Sequence, residues 1–339
     1  MTEDELVAAI RAVVEAPPER GPGPRPILLG IGDDAAAWRP SRSHLSVITT
    51  DALIDGVHFL SALMDARSIG HRAMAANLSD VAAMGARPVL ATVALGVAPP
   101  ADEAWLLECY RGMTALAAEH GTRIVGGDIV RAPAITLALT VVGEVSPTRL
   151  RRRDGGRPGD VLAATGPLGG SRAGLELVRR PPVPAEARPL SVPAEVRAAA
   201  LARFLTPQPR VAEGRWLAAS ANVHALMDSS DGLSTDLTRL ARASGCGATL
   251  DSVPIDPAAE AVARAAGDDP LAYALDGGED FELIAAVAPR AFPHLALRFA
   301  HRFGRPLLPI GRLDPQPGLR LREAATARDL TAAGWDHLS

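Results

Sequence analysis

The sequence predicts two domains of mixed helix and strand, an α/β or α+β fold in each. Three observations lead there. The chain has 339 residues, more than one typical compact domain holds. Strand-patterned and helix-patterned segments alternate along it. A polar stretch rich in Arg and Gly, SPTRLRRRDGGRPGD (146–160), separates two such series. The expected domains are therefore 1–147 and 148–339.

The elements follow in order. MTEDELVAAIRAVVE reads as an acidic amphipathic helix over 2–15. Strand-like runs stand at 27–31 and 45–50. A long helix fits 66–84, where Ile69, Ala73, Ala76 and Met84 fall near helical spacing. A strand at 88–97, a helix at 101–120 and a strand at 122–126 come next, and ITLALTVVGEV (135–145) is a strand. The second series has a strand at 160–164 and helices at 169–179, 195–205 and 208–221. A strand at 223–227, a helix at 233–243, and strands at 247–251, 281–287 and 307–313 complete it. RRPPVPAEARPLSVPAE (179–195) is Pro-rich and reads as an exposed loop.

Composition narrows the function. Apolar residues are 47% of the chain but aromatics only 4%, so Ala, Leu, Val and Ile must fill the cores. No apolar run reaches the length of a membrane span, and the acidic start lacks the positive region of a signal peptide. Two cysteines, Cys109 and Cys246, give neither a disulfide framework nor metal-site spacing. The expectation is a cytoplasmic protein with no membrane partner. A net charge of -4 supplies no basic footprint for nucleic acid. All 35 basic residues are arginine, so the lysine of a Walker A loop or a protein-kinase site is missing. If such a chain handles a nucleotide triphosphate, metal ions and arginines must balance the phosphates.

Acidic residues recur where apolar runs end. Asp33 and Asp34 follow LLGIG; Thr49, Thr50 and Asp51 close LSVITTD; Asp128 follows RIVGG. Asp228, Ser230 and Asp231 sit in HALMDSSDG, and Glu279 and Asp280 in LDGGEDFEL. Taken singly, each Asp fits an ordinary N-cap or turn, and each Gly-Gly an ordinary turn. Repetition of one theme is harder to assign to caps alone. Carboxylates brought together repel unless cations hold them, and hard oxygen donors without a His/Cys cluster suit magnesium. Asp80 shares a helix face with Ala73, Ala76 and Asn77; it either edges the buried face or aims at a cation. A lone His58 after a strand binds or merely packs, and Arg153 in RRRD is a solvated charge or a ligand contact.

GIGDDAA, TTDALIDGVHF, NLSDVAAMGARP, GGD, RDGGRPGD, SSDGLSTDL and GGEDFEL occur in that order, and the chain ends in GWDH before two further residues. Together they resemble the thiamine-monophosphate kinase family, from about Gly30 nearly to the end. The wider superfamily includes aminoimidazole ribotide synthetase, selenophosphate synthetase and the hydrogenase-maturation dehydratase. The selenium enzyme has a reactive Cys or selenocysteine near its N-terminus, whereas the first cysteine here is Cys109 within a helix.

The resemblance implies a two-domain aminoimidazole ribotide synthetase-like fold with N-terminal domains paired in a homodimer. It implies ATP as co-substrate, several Mg2+ ions in a cleft using both domains, and thiamine monophosphate as acceptor. Asp33, Thr49, Thr50, Asp51, Asp80, Asp128, Asp228 and Asp231 match metal-ligand positions. Gly127, Asp128, Arg153 and Ser230 match nucleotide contacts; His58, Glu279 and Trp335 match substrate contacts. No residue is assigned as a catalytic acid, base or nucleophile. Ser229 departs from the family, which more often has an aliphatic residue there. Another ATP-using superfamily member, or a non-catalytic nucleotide-binding regulator, is the alternative; a regulator need not keep so many metal ligands.

Overall fold

In a computed structural model of the protein, residues 3–15, 27–31, 35–98, 102–180, 190–323 and 326–335 are described. The chain divides into two compact units: Met1–Val81 with Ala86–Pro147, and Ala82–Gly85 with Thr148–Ser339.

The first unit runs α1 (Glu3–Glu15), β1 (Ile27–Leu29), β2 (Ala37–Trp38), β3 (Leu45–Ile54), α2 (Ala66–Ala83), β4 (Arg87–Val97), α3 (Glu103–Glu119), β5 (Arg123–Arg131) and β6 (Thr136–Val145). Its four-stranded sheet has the order β3-β6-β4-β5, with only the β4–β5 pair parallel. Leu6, Ile10 and Val14, four residues apart, bury one stripe of α1, which packs on α3 and β5. Asp102 starts α3 by accepting the N–H groups of Ala104 and Trp105 at 2.9 and 3.3 Å. Helices α2 and α3 approach at glycines. A Cβ on Gly70 would strike the Cys109 carbonyl, and one on Gly112 the Arg67 carbonyl. This closeness lets Ala and Leu fill a core that has few aromatics.

The second unit runs β7 (Val161–Ala164), α4 (Gly170–Arg179), α5 (Ala194–Leu205), α6 (Val211–Ala218), β8 (Val223–Asp228), α7 (Leu233–Ala243) and β9 (Gly247–Leu250). It continues α8 (Pro257–Ala266), α9 (Pro270–Asp276), β10 (Leu283–Val287), α10 (Phe292–Phe303), β11 (Leu308–Asp314), β12 (Leu319–Glu323) and β13 (Thr326–Leu330). The strands order as β13-β12-β9-β11-β7-β10-β8, antiparallel except for β12–β9. Leu162, Ala225, Leu237, Leu250, Ile284 and Ile310 form its main core. A second cluster joins α4, α5 and α8 through Leu177, Ala200 and Val262.

The two large sheets are mainly antiparallel, and β1 and β2 form a separate antiparallel pair, so the mixed fold is α+β in character. Two expected strand ends fall inside strands. The run expected to stop at 50 continues to Ile54, and the one expected to stop at 126 continues to Arg131. Thr49–Asp51 and Asp128 therefore lie within strands, not beyond them. The expected helix at 208–221 is confined to Val211–Ala218. Helices α8, α9 and α10 and strands β12 and β13 fall where no element was expected. Of the expected loop at 179–195, residues 181–189 lie outside the described residues.

Candidate active site

Strand β3 separates the Thr-Thr-Asp run. Successive side chains point to opposite faces, and the odd positions Val47, Thr49, Asp51 and Leu53 are the more buried ones. Thr49 Oγ1 donates to Asp80 Oδ2 on α2. Asp51 lies opposite Leu139 on the same inner face. Asp80 is thus the partly buried carboxylate of a polar pair at the edge of the buried helix face.

Thr50 faces the other way. Its Oγ1 donates to the Leu139 carbonyl at 2.9 Å and accepts from Thr140 Oγ1 at 3.2 Å. Thr50, Thr140, Thr92 and Gly126 stand in register across all four strands. Asp128 follows on that face, in register with Ala94 and Ala138. A cavity of about 930 Å³ opens there, lined by Thr50, Thr92, Thr140, Gly127, Asp128 and Ile31 among others. The Gly-Gly before Asp128 is not a turn. A Cβ on Gly127 would strike the Val93 carbonyl, so the glycine permits close approach of β4 and β5.

His58 lies in the turn after β3. Its Nδ1 accepts the Ile54 N–H at 3.1 Å, which places the neutral ring's proton on Nε2. Asp33 lies outside the described residues.

In the second unit, one end of the sheet gathers most of the remaining residues. Asp228 closes β8 opposite Leu283 of β10. Beyond them the loops stay paired. Ser229 N–H donates to Glu282 O at 2.8 Å, Phe281 N–H to Ser229 O at 3.0 Å, and Glu279 N–H to Ser230 O at 2.7 Å. Ser229 is buried, with both backbone groups used, so its small side chain disturbs nothing. Trp335 N–H donates to Asp231 O at 3.0 Å, and the chain there approaches so closely that a Cβ on Gly334 would strike the same oxygen. Asp228, Ser230, Asp231, Glu279 and Trp335 are thereby brought together. Arg153 is placed differently. It lies on the segment beside edge strand β8, its side chain exposed and its carbonyl accepting from Ser244 Oγ at 2.8 Å.

Two supporting residues, Asp236 and Arg239, were not singled out from sequence, and Asp280 stood there only among the recurring acidic residues. Asp236, fully buried in the first turn of α7, accepts the N–H groups of Ser230 and Asp231 at 3.0 and 3.1 Å. Burial and the nearby Asp231 charge push its carboxyl up to about 7, against those N–H groups and Arg239. Arg239 bridges Asp231 and Asp236. Asp280 accepts the N–H groups of Gly169 and Ser171 at the start of α4. An acidic residue one turn into a helix after Asp-Gly is the signal that could have found Asp236. Glu282, two residues further on, is structural. Burial would raise its carboxyl, but the two-pronged Arg210 pair outweighs that and holds it low.

The donors suit a hard dication: carboxylates and hydroxyls, with no imidazole or thiolate among those gathered. Among the described residues, no three His, Cys, Asp or Glu side chains converge closely enough to hold a metal by themselves. Cys109 is buried in α3, and burial pushes its thiol up to about 12, so it is no nucleophile.

Residues 32–145 match AIR synthase related protein, N-terminal domain, and residues 157–323 match AIR synthase related protein, C-terminal domain. The thiamine-monophosphate kinase of Synechococcus elongatus is 36% identical over 296 residues, 86% of each chain. The crystal structure of thiamine-monophosphate kinase from Stenotrophomonas maltophilia K279a is similar with a TM-score of 0.80 and 35% identity, covering 96% of this chain and 98% of that one. AaThiL complexed with AMPPCP and TMP gives a TM-score of 0.74 and 28% identity, covering 99% of this chain and 97% of its own. The ordered motifs, the two-unit architecture and this end-to-end similarity lead to one assignment: the chain belongs to the thiamine-monophosphate kinase family of AIR synthase related proteins.

Proposed function

We propose that the protein transfers the γ-phosphoryl group of ATP to thiamine monophosphate, giving thiamine diphosphate and ADP. The observation that carries this reading is the similarity, over 99% of the chain, to AaThiL complexed with AMPPCP and TMP.

An oxygen of the acceptor's phosphate attacks the γ-phosphorus. The bond from that phosphorus to the β–γ bridging oxygen breaks, and ADP leaves with the electron pair. The attacking group has a second pKa of roughly 6, so it is mostly dianionic at neutral pH and needs no protein base. The chain's work is to hold two anions in line and exclude other geometries. Magnesium supplies charge neutralisation between them when bound. Asp33, Thr49, Thr50, Asp51, Asp80, Asp128, Asp228 and Asp231 are its holders in this reading. Gly127, Asp128, Arg153 and Ser230 take the nucleotide, which is supported by the cavity against Gly127 and Asp128. His58, Glu279 and Trp335 take the acceptor, supported by the backbone bonds that tie Glu279 and Trp335 to Ser230 and Asp231.

A second copy of the chain is the expected partner. β3 is an edge strand whose outward Ile48 and Ile54 are 73% and 36% exposed, an apolar edge that proteins usually cover. We place the protein in the cytoplasm; among the described residues, no helix is long and apolar enough to cross a membrane.

The test is a product assay with ATP chiral at its γ-phosphorus, magnesium and thiamine monophosphate. Thiamine diphosphate should form with inversion, and none in excess chelator. No product with magnesium, product in chelator, or net retention of configuration overturns the reading.

A further inference from the structure

Glu279 stands in an unusual backbone conformation. Its φ is +55°, and that of Phe281, two residues on, is +50°; they are the non-glycine residues with positive φ among the described residues. Such conformations are unfavourable for a side-chain-bearing residue and persist only where the surroundings enforce them. Here the enforcement is visible. Glu279 N–H is tied to Ser230 O at 2.7 Å and Phe281 N–H to Ser229 O at 3.0 Å. Gly278, itself at φ +70°, packs so that a Cβ would lie 2.8 Å from Ser230 O. Between the two strained residues, the Asp280 side chain turns away to the start of α4. Its Oδ2 accepts the Gly169 N–H at 2.7 Å and its Oδ1 the Ser171 N–H at 3.1 Å.

Both carboxylate oxygens are used at a helix N-terminus, where N–H groups and the helix dipole favour a negative charge. Gly169 has φ +87°, and a Cβ there would lie 2.9 Å from the Ala274 N. That end of α4 therefore cannot easily follow a moving loop. The strain lies in the loop, and the anchor lies in the helix.

We propose that Asp280 is a positioning residue: by anchoring to the N-terminus of α4 it holds Glu279 in its left-handed conformation and so aims the Glu279 carboxylate at the acceptor. The inference rests on the reading of Glu279 as an acceptor-binding residue. It adds that the specificity of that contact is set from α4, by a side chain that does not itself touch the acceptor.

The experiment compares Asp280→Asn, Asp280→Ala, Glu279→Ala and Glu279→Gly. KM for thiamine monophosphate, KM for ATP, kcat and thermal melting are measured for each. Asp280→Ala should raise the acceptor KM at least about tenfold and leave the ATP KM within about twofold, as expected for a lost positioning contact. Asp280→Asn keeps one accepting oxygen and should fall between Asp280→Ala and the parent; it also decides the matter if Asp280→Ala does not fold. Glu279→Gly should lose acceptor affinity yet melt higher than Glu279→Ala, because glycine accepts the positive φ. If Glu279→Ala leaves the acceptor KM unchanged, the reading of Glu279 fails. If Glu279→Ala raises it but folded Asp280 variants do not, or if they weaken ATP equally, the positioning role is overturned. A Glu279→Gly variant that melts no higher than Glu279→Ala overturns the strain on which the role depends.

Discussion

At the scale of single residues, the two aspartates of the DSSD run differ in surroundings. Asp228 is 5% exposed at a strand end, whereas Asp231 is partly exposed and paired with Arg239. Each is proposed to hold metal, and an amide is a poor substitute for a carboxylate at a hard dication. Loss of supporting groups around a metal costs about 10–100-fold, so loss of a ligand itself should cost about 100-fold or more in kcat/KM. Asp228→Asn and Asp231→Asn should each show that loss while circular dichroism reports a native fold. The Asp231–Arg239 pair is partly exposed, so breaking it should cost within about 1 kcal/mol of stability. Near-parental kcat/KM for either variant would remove that residue from the ligand set.

Elements decide which of these residues can act together. In β3 the period of two sends Thr49 and Asp51 toward α2 and Thr50 toward the cavity. Three consecutive residues that read as one motif therefore serve two faces. In β5 the Gly-Gly pair carries the strand through to Asp128, and its Gly127 fits against Val93 only because it lacks a Cβ. Gly127→Ala should force β5 from β4 and destabilise the protein by about 1–3 kcal/mol, in the range of overpacking substitutions. Gly126→Ala, whose Cβ would meet only the Thr92 methyl at 4.0 Å, should cost far less. Urea denaturation of the two variants measures the difference, and equal stabilities would contradict the close approach.

For the whole molecule, acid stability should depend on His120. It caps α3, its Nε2 is buried without a hydrogen-bond partner, and burial, reinforced by His71, holds its pKa down to about 4 from 6.5. Below pH 6.5 the unfolded chain takes up the proton that the folded one refuses, so stability falls as pH drops toward 4. The full effect is at most about 3 kcal/mol. Between pH 7 and 4.5, His120→Gln should lose less stability than the parent in urea unfolding; parallel losses would show that His120 is not responsible. Association is the other property of the whole. The exposed apolar edge of β3 predicts a dimer, and sedimentation at working concentration as a monomer would remove it.

The sequence by itself determined the mixed two-domain architecture, most of the helices and strands, and the family, because those rest on local periodicity and on ordered motifs. α2 was legible from its near-helical spacing. It did not determine where β3 and β5 end. Thr49 and Asp51 occupy inner positions that apolar residues usually fill, which hid the alternation, and two glycines imitated a turn. Helices α8 and α9 were not legible although Asp-Pro begins each, since at ten and seven residues they offer few turns over which a pattern can repeat. Only the tertiary structure decided that Thr50 and Asp128 share a face, that Thr49 meets Asp80, and that the loops around Ser230 and Glu279 and the segment ending at Trp335 are hydrogen-bonded together. Register and loop pairing join residues far apart in sequence, and no local pattern encodes which backbone N–H will find which carbonyl.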